Sequence, residues 1–143
     1  MKLTVVQRGA MRDRSILALR DEYVKRFRRY GTLRIIERAA EGKAAAFWPE
    51  SCRWKVVLDE GGEQPDSEGL SRQLAIWSMR HGEIAFAVGD AYGHDPAVLA
   101  AAQSRLSLGR MTLPHQLAHL LLVEQLYRAG CILAGAPYHH GRT

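Results

Sequence analysis

"MTLPHQLAHLLLVEQLYRAG", residues 111–130, joins a rigid polar turn to a long apolar segment. Pro114 suits the first turn of a helix, where its missing N–H has no intrahelical partner to lose. From there Leu117, Leu120, Leu121, Leu122, Val123, Leu126 and Tyr127 cover more than one helical face. A helix apolar nearly all round is buried on two sides. In so small a chain, one side can face a sheet and the other a second subunit. Glu124 and Arg128 stand at i,i+4 in the favourable order.

Working back from this helix, short β-like runs alternate with helical patterns. Strands are expected at 2–7, 33–38, 54–59, 84–89 and 111–113, with a further one at 131–133; helices are expected at 15–30, 67–82, 96–105 and 114–129. "VVLD" (56–59) and "IAFAVG" (84–89) are nearly continuous apolar runs, as strands buried on both faces should be. The alternation predicts an α/β fold, a mostly parallel sheet with helices on both faces, in one domain spanning 1–143. Segment 39–47, "AAEGKAAAF", reads as a connection.

Ligands of such sheets sit at the carboxyl ends of the strands. Three strand ends carry rigid loops: "LDEGGEQPDSEG" (58–69), where the strand is expected to stop at Leu58-Asp59; "VGDAYGHDP" (88–96); and "GRMTLPH" (109–115). Loops converging on one edge suit a nucleotide-like ligand, read largely by backbone groups.

Of the 143 residues, 47% are hydrophobic and 24% charged, ordinary for a soluble globular chain. No run of 18 apolar residues is present, so no membrane span is expected. The opening "MKLTVV" reads as a strand and not a signal peptide. Cys52 and Cys131 have no metal-ligand spacing and make no disulfide framework, so a cytoplasmic protein with reduced thiols is expected. The net charge of +5 is uneven: residues 1–45 hold 12 Lys/Arg against 5 Asp/Glu, and the remainder hold 8 against 10. Lys25, Arg26, Arg28 and Arg29 form a basic cluster suited to a polyanion, with Arg142 adding a cation near the end of the sequence. Solvated helix charges are the plain alternative. A metal site drawing on His115, His119, His139 and His140 is disfavoured, because Gln116 stands where the His-Glu-x-x-His motif needs its Glu.

Taken together, "MKLTVV", "EYVKRF" (22–27), "LDEGGEQPDSEGLS" (58–71), "VGDAYG" (88–93), "SLGRMTLPHQLAHLLLVEQLYRA" (107–129) and "PYHH" (137–140) resemble the SPOUT methyltransferases. Within them they resemble the ribosomal RNA large subunit methyltransferase H family. The resemblance covers nearly the whole chain, and its Thr-Leu-Pro-His block is the most specific part. It implies a C-terminal trefoil knot, a rare exception to unknotted topology. It also implies a homodimer that binds S-adenosylmethionine and methylates N3 of a pseudouridine in large-subunit ribosomal RNA of the assembled ribosome. By this match Leu58, Gly89, Asp90, Gly109, Arg110, Met111, Thr112, Leu113 and Pro114 would hold the cofactor, with His115 at the pocket edge. Tyr138, His139 and His140 would be catalytic: His139 first as general base, His140 second, and Tyr138 stacking on or orienting the target base.

Two positions depart from the family pattern. Asp90 replaces the second of two glycines; a residue tolerant of positive φ could preserve the turn. Its carboxylate could accept a ribose hydroxyl, attract the sulfonium, or obstruct the pocket. His140 replaces the Arg or Lys that usually follows Tyr-His. An RNA- or ribosome-binding relative without catalysis is the alternative these departures raise.

Overall fold

The structure is a computed structural model and describes residues 1–141. Arg142, assigned to RNA by its charge, lies outside the described residues. Five strands, β1 (Lys2–Arg8), β2 (Thr32–Arg38), β3 (Trp54–Glu63), β4 (Glu83–Val88) and β5 (Ser104–Leu106), form one sheet in the order β2-β1-β4-β3-β5. Every pairing is parallel. The helices are α1 (Arg14–Phe27), α2 (Ser67–His81), α3 (Pro96–Ala101) and α4 (His115–Ala134), with a single 3₁₀ turn at Ala44–Ala46.

Period-2 alternation along the strands divides the interior. Leu3, Val5, Ile84 and Phe86 meet Phe27 of α1, Leu70 and Leu74 of α2, and Leu122, Val123 and Leu126 of α4. Val6, Ala85 and Ala87 turn to the other face, where Phe47 and Val98 cover them. Helices therefore cover both faces of the sheet, as the apolar runs require. Asp13 and Asp66 start α1 and α2 by accepting the N–H of Ile16 at 3.0 Å and of Gly69 at 2.7 Å. α4 runs alongside α1 in the same direction, its start tied to the β1–α1 loop by Gln116 Oε1, which accepts the N–H of Arg12 and Asp13. By length and composition α4 resembles a membrane span, yet half of its apolar window is packed inside the fold.

Four expectations are corrected. Residues 111–113 form a loop, and 131–133 continue α4 to Ala134, where Gly135 closes it in the left-handed conformation. Gly130, just past the expected end of the helix at 129, lies inside α4 and admits the end of α1 and the turn after it: a Cβ there would meet Tyr30 at 2.9 Å and Phe27 at 3.2 Å. The fifth strand is Ser104–Leu106, expected as the end of a helix; α3 stops at Ala101, and Ser104 pairs opposite Val56. Finally, β3 does not stop at Asp59 but continues through an irregular register to Glu63. Gly62 makes this possible, since a Cβ would lie 2.7 Å from the Arg105 backbone.

Candidate active site

The carboxyl ends of β3, β4 and β5 open into a cleft of about 700 Å³, within the size range of small-molecule sites. Leu58, Asp59 and Glu60 form one wall; Val88 to Ala91, Gly93 and His94 form another; Leu108, Gly109 and Met111 to His115 form the third. Ala118 of α4 and Leu99 of α3 complete it. Of the residues matched to a cofactor role, Leu58, Gly89, Asp90, Gly109, Met111, Thr112, Leu113 and Pro114 meet here. Arg110 does not: it is exposed and outside the wall.

Each loop is fixed by identifiable contacts. Gly89 lies so close to Gly93 that a Cβ would come within 2.9 Å of its carbonyl. Gly93 carries the loop's positive φ, 83°. Asp90 does not adopt positive φ, which corrects that expectation. Its Oδ1 instead accepts the Tyr92 N–H at 2.9 Å, and its carbonyl accepts the Gly93 N–H at 3.0 Å. In the third loop, Ser107 Oγ donates to the Gly109 carbonyl at 2.9 Å and accepts the Gly109 N–H at 3.1 Å. Gly109 itself has φ 145°, and no atom stands within 4 Å of where a Cβ would be. A bare backbone facing open cleft is what close approach by a ligand needs.

Several contributors give no sign of themselves in the sequence. His94 Nε2 donates to the Leu58 carbonyl at 2.9 Å, tying two walls together. Burial lowers its pKa, with the Leu58 contact opposing, so the ring is neutral at pH 7. Beneath the cleft, fully buried His119 contacts Gln7, whose amide donates to the Gly89 carbonyl at 3.3 Å. Asp59, Glu60 and Asp90 give the wall three carboxylates; Arg105 is 3.8 Å from Asp59. A lone His or Ser gives no local signal of such long-range contacts.

The tail lies elsewhere. Tyr138 packs edge-on against Tyr127, with ring centroids 4.8 Å apart, and Arg128 lies 4.8 Å over its ring. Burial, then a side-chain hydrogen bond with Tyr23, raises the Tyr138 pKa. Arg128 Nη1 donates to His139 Nδ1 at 3.1 Å, and His139 Nε2 is 3.5 Å from Glu68. His140 is exposed. Tyr127 stands twelve residues beyond His115, about 18 Å along the helix. Within one chain the tail and the cleft are therefore separate. His115 and His119 stand on the first turns of α4, whereas His139 lies beside Arg128, nine residues beyond His119 on the same helix. Lys25, Arg26, Arg28 and Arg29 are exposed at the tail's end of the molecule, also away from the cleft. Arg26 pairs with Glu22 at 3.0 Å.

A second groove, about 570 Å³, adjoins the cleft and shares Leu108 and Gly109 with it. Leu121 of α4 lines it and is 43% exposed. Leu117, one turn earlier, is 42% exposed, so α4 keeps an apolar face uncovered.

The family model described as "Predicted SPOUT methyltransferase" matches residues 1–139. The chain is 39% identical over 146 residues to the ribosomal RNA large subunit methyltransferase H of Sorangium cellulosum (strain So ce56), covering 98% of this chain and 100% of that one. It is 44% identical over 131 residues to the protein of the same name from Deinococcus radiodurans, covering 85% of this chain and 86% of that one. Among solved structures it is similar to a probable methylase family protein from Haemophilus influenzae Rd KW20. There the TM-score is 0.61 at 10% identity, over 99% of this chain and 71% of the other, a likeness of fold alone. The cleft between β3, the two glycine loops and α4 has its explanation here: the chain belongs to the SPOUT methyltransferases, and within them to the ribosomal RNA large subunit methyltransferase H family.

Proposed function

We propose that this protein is a cytoplasmic, S-adenosylmethionine-dependent methyltransferase of large-subunit ribosomal RNA that methylates N3 of a pseudouridine in the assembled ribosome. The observation carrying this reading is the cleft that β3 and the loops after β4 and β5 enclose, in a chain of this family. The cleft residues fit the cofactor. Leu58, Val88, Leu108 and Leu113 offer apolar cover for an adenine, and the open backbone at Gly109 suits its polar edge. The wall carboxylates of Asp59, Glu60 and Asp90 suit a cation. When bound, S-adenosylmethionine supplies an electrophilic methyl group on its sulfonium.

The protein's part is positioning and removal of one proton. Holding the reacting atoms in line contributes several kcal/mol, and a positioned base about 10²–10⁴-fold. His139 is the base we assign to the N3 proton, with His140 second and Tyr138 against the base's face. Arg128 occupies the His139 Nδ1 lone pair in the single chain, so the ring is oriented but must exchange that contact for the substrate. Because cleft and tail are separate in one chain, we assign the tail to a partner's cleft in a homodimer. The uncovered face of α4 at Leu117 and Leu121, and the groove beside the cleft, support that packing. Threading of residues 107–114 and α4 through a trefoil knot belongs to the same proposal. Asp90, bonded within its own loop, leaves the cleft open, which favours catalysis over the non-catalytic alternative.

The test is methyl transfer. Purified protein with S-adenosylmethionine labelled in the methyl group should label large subunits that lack the modification, and nuclease mapping should place the label on one pseudouridine. Cofactor binding without any labelling would select the non-catalytic relative.

A further inference from the structure

We infer that Tyr92 is a stacking platform for an RNA base adjoining the one that enters the cleft, and that Asp90 holds it there. This inference rests on the proposed function. Tyr92 is 96% exposed, a large aromatic surface that contributes nothing to the core. Its neighbours Ala91 and Gly93 line the cleft, whereas Tyr92 does not, so its ring stands at the rim and not inside. The backbone beneath is fixed. Asp90 Oδ1 accepts the Tyr92 N–H at 2.9 Å, Gly93 closes onto the Asp90 carbonyl at 3.0 Å, and Gly89 leaves no room against Gly93 for a side chain. Two further anchors follow directly: His94 on the Leu58 carbonyl at 2.9 Å and Asp95 on Arg8 at 3.1 Å.

A rigid loop presenting an unpacked aromatic at a cleft mouth loses little entropy when a flat ligand lands on it. Every nucleobase has such a face, and base–aromatic stacking is tolerant of sequence. The third loop of the same cleft adds Met111, 81% exposed, and exposed Arg110, a thioether and a guanidinium that also pack against bases. A base that enters the cleft leaves its own stack, exposing the face of its neighbour. Tyr92 is positioned to cover that face. The carboxylate that departs from the family pattern thereby gains a use: it orders the loop that carries the ring.

The experiment compares wild type, Tyr92→Ala and Tyr92→Phe in three measurements: methyl-transfer kinetics on large subunits, sedimentation binding to those subunits, and calorimetry with S-adenosylhomocysteine. Tyr92→Ala should raise the KM for subunits and weaken their binding about 10-fold, with nucleoside affinity and melting temperature unchanged. Tyr92→Phe should stay within about twofold of wild type, since stacking needs the ring and not the hydroxyl. Unchanged KM and subunit binding in Tyr92→Ala would overturn the inference. Equal defects in both variants, or a parallel loss of S-adenosylhomocysteine affinity, would do the same. If wild type binds subunits but transfers no methyl group, the enzymatic reading fails, and Tyr92 is judged on the binding of its two variants. Failure of wild type to bind subunits overturns both.

Discussion

His119 Nδ1 and Gln7 Oε1 lie 2.9 Å apart inside the fold, 112 positions apart in sequence. Gln7 Nε2 donates to the Arg8 carbonyl at 2.9 Å and to the Gly89 carbonyl at 3.3 Å. The amide orientation is therefore set, and His119 must carry its proton on Nδ1. Its Nε2 is left as a buried acceptor with no partner among the described residues. One side chain of β1 thus joins α4 to the glycine loop of the cleft.

Gln7→Leu should cost about 1–3 kcal/mol, because it leaves a buried Nδ1–H unpaired. Urea denaturation measures that loss. S-adenosylhomocysteine affinity should fall with it, since the Gly89 carbonyl loses its brace. Adding His119→Leu should recover part of the stability, as replacing both partners removes the unpaired group. Strict additivity of the two changes would show that the contact does not couple them.

His119 also makes stability depend on pH. Burial, helped by the positive Arg20 and by His115, lowers its pKa to about 4, whereas an unfolded imidazole titrates near 6.5. Between those values the unfolded chain binds more protons than the folded one. The stability is therefore full above about pH 6.5 and is lost as pH falls towards 4, by about 3 kcal/mol in all. The difference in unfolding free energy between pH 7 and pH 4.5 should shrink in His119→Gln. An undiminished acid loss would mean that other groups carry it.

How far the sequence reveals this molecule depends on the range of the interactions. β1 and β4 are visible because their burial is written locally, as apolar runs bounded by polar turns. The loops after β4 and β5 are visible because glycine and proline mark those strand ends, whereas the wall at Leu58 to Glu60 stays within β3. β5 is hidden, since three residues after an alanine-rich helix become a strand only by pairing with Val56 to Leu58. Gly130 misleads because its cause, the approach of Tyr30, lies a hundred residues away. The proposed roles require Tyr138 and His139 at the cleft, but within one chain they pack on Tyr127 and Arg128, about 18 Å along α4 from its start. In the proposed homodimer a second chain reunites them.

Mixed dimers test that geometry directly. A chain with Gly89→Val has a blocked cleft and an intact tail; a chain with His139→Ala has the reverse. Neither should methylate alone. Mixed and allowed to exchange, they should recover activity, because one cleft of each heterodimer receives an intact tail from its partner. Activity that stays absent although exchange is verified would place the tail's action within its own chain, or nowhere. Leu121→Glu, charging the uncovered face of α4, should abolish exchange and yield monomer or aggregate, read by light scattering against the 16.0 kDa chain.

The basic cluster makes a prediction about salt. Lys25, Arg26, Arg28 and Arg29 are all exposed, and each phosphate that a cation no longer neutralises lowers the log–log salt slope by about 0.7–0.9. Replacing all four by Ala should weaken subunit binding and reduce the slope by at most about 3.6. Arg26 contributes less than the others, because Glu22 already neutralises part of its charge. Affinity for S-adenosylhomocysteine should not change, since the cluster and the cleft occupy opposite ends of the molecule. Loss of that affinity would make the cluster structural.

Asp90→Gly separates the two uses of the carboxylate. In the fold, Oδ1 is engaged by the Tyr92 N–H, while the charge remains at the wall of the cleft. Removing the side chain deletes a loop hydrogen bond worth about 1 kcal/mol and frees the backbone. That loss is blind to the ligand, so S-adenosylhomocysteine should bind about fivefold more weakly. S-adenosylmethionine carries a positive sulfonium and should lose more, because the variant also withdraws an attractive charge. Raising the salt concentration should narrow the difference between the two ligands in wild type, and less so in the variant, where Asp59 and Glu60 remain. Tighter binding of either ligand by Asp90→Gly would mean that the carboxylate obstructs the cleft, and would return the non-catalytic relative to first place.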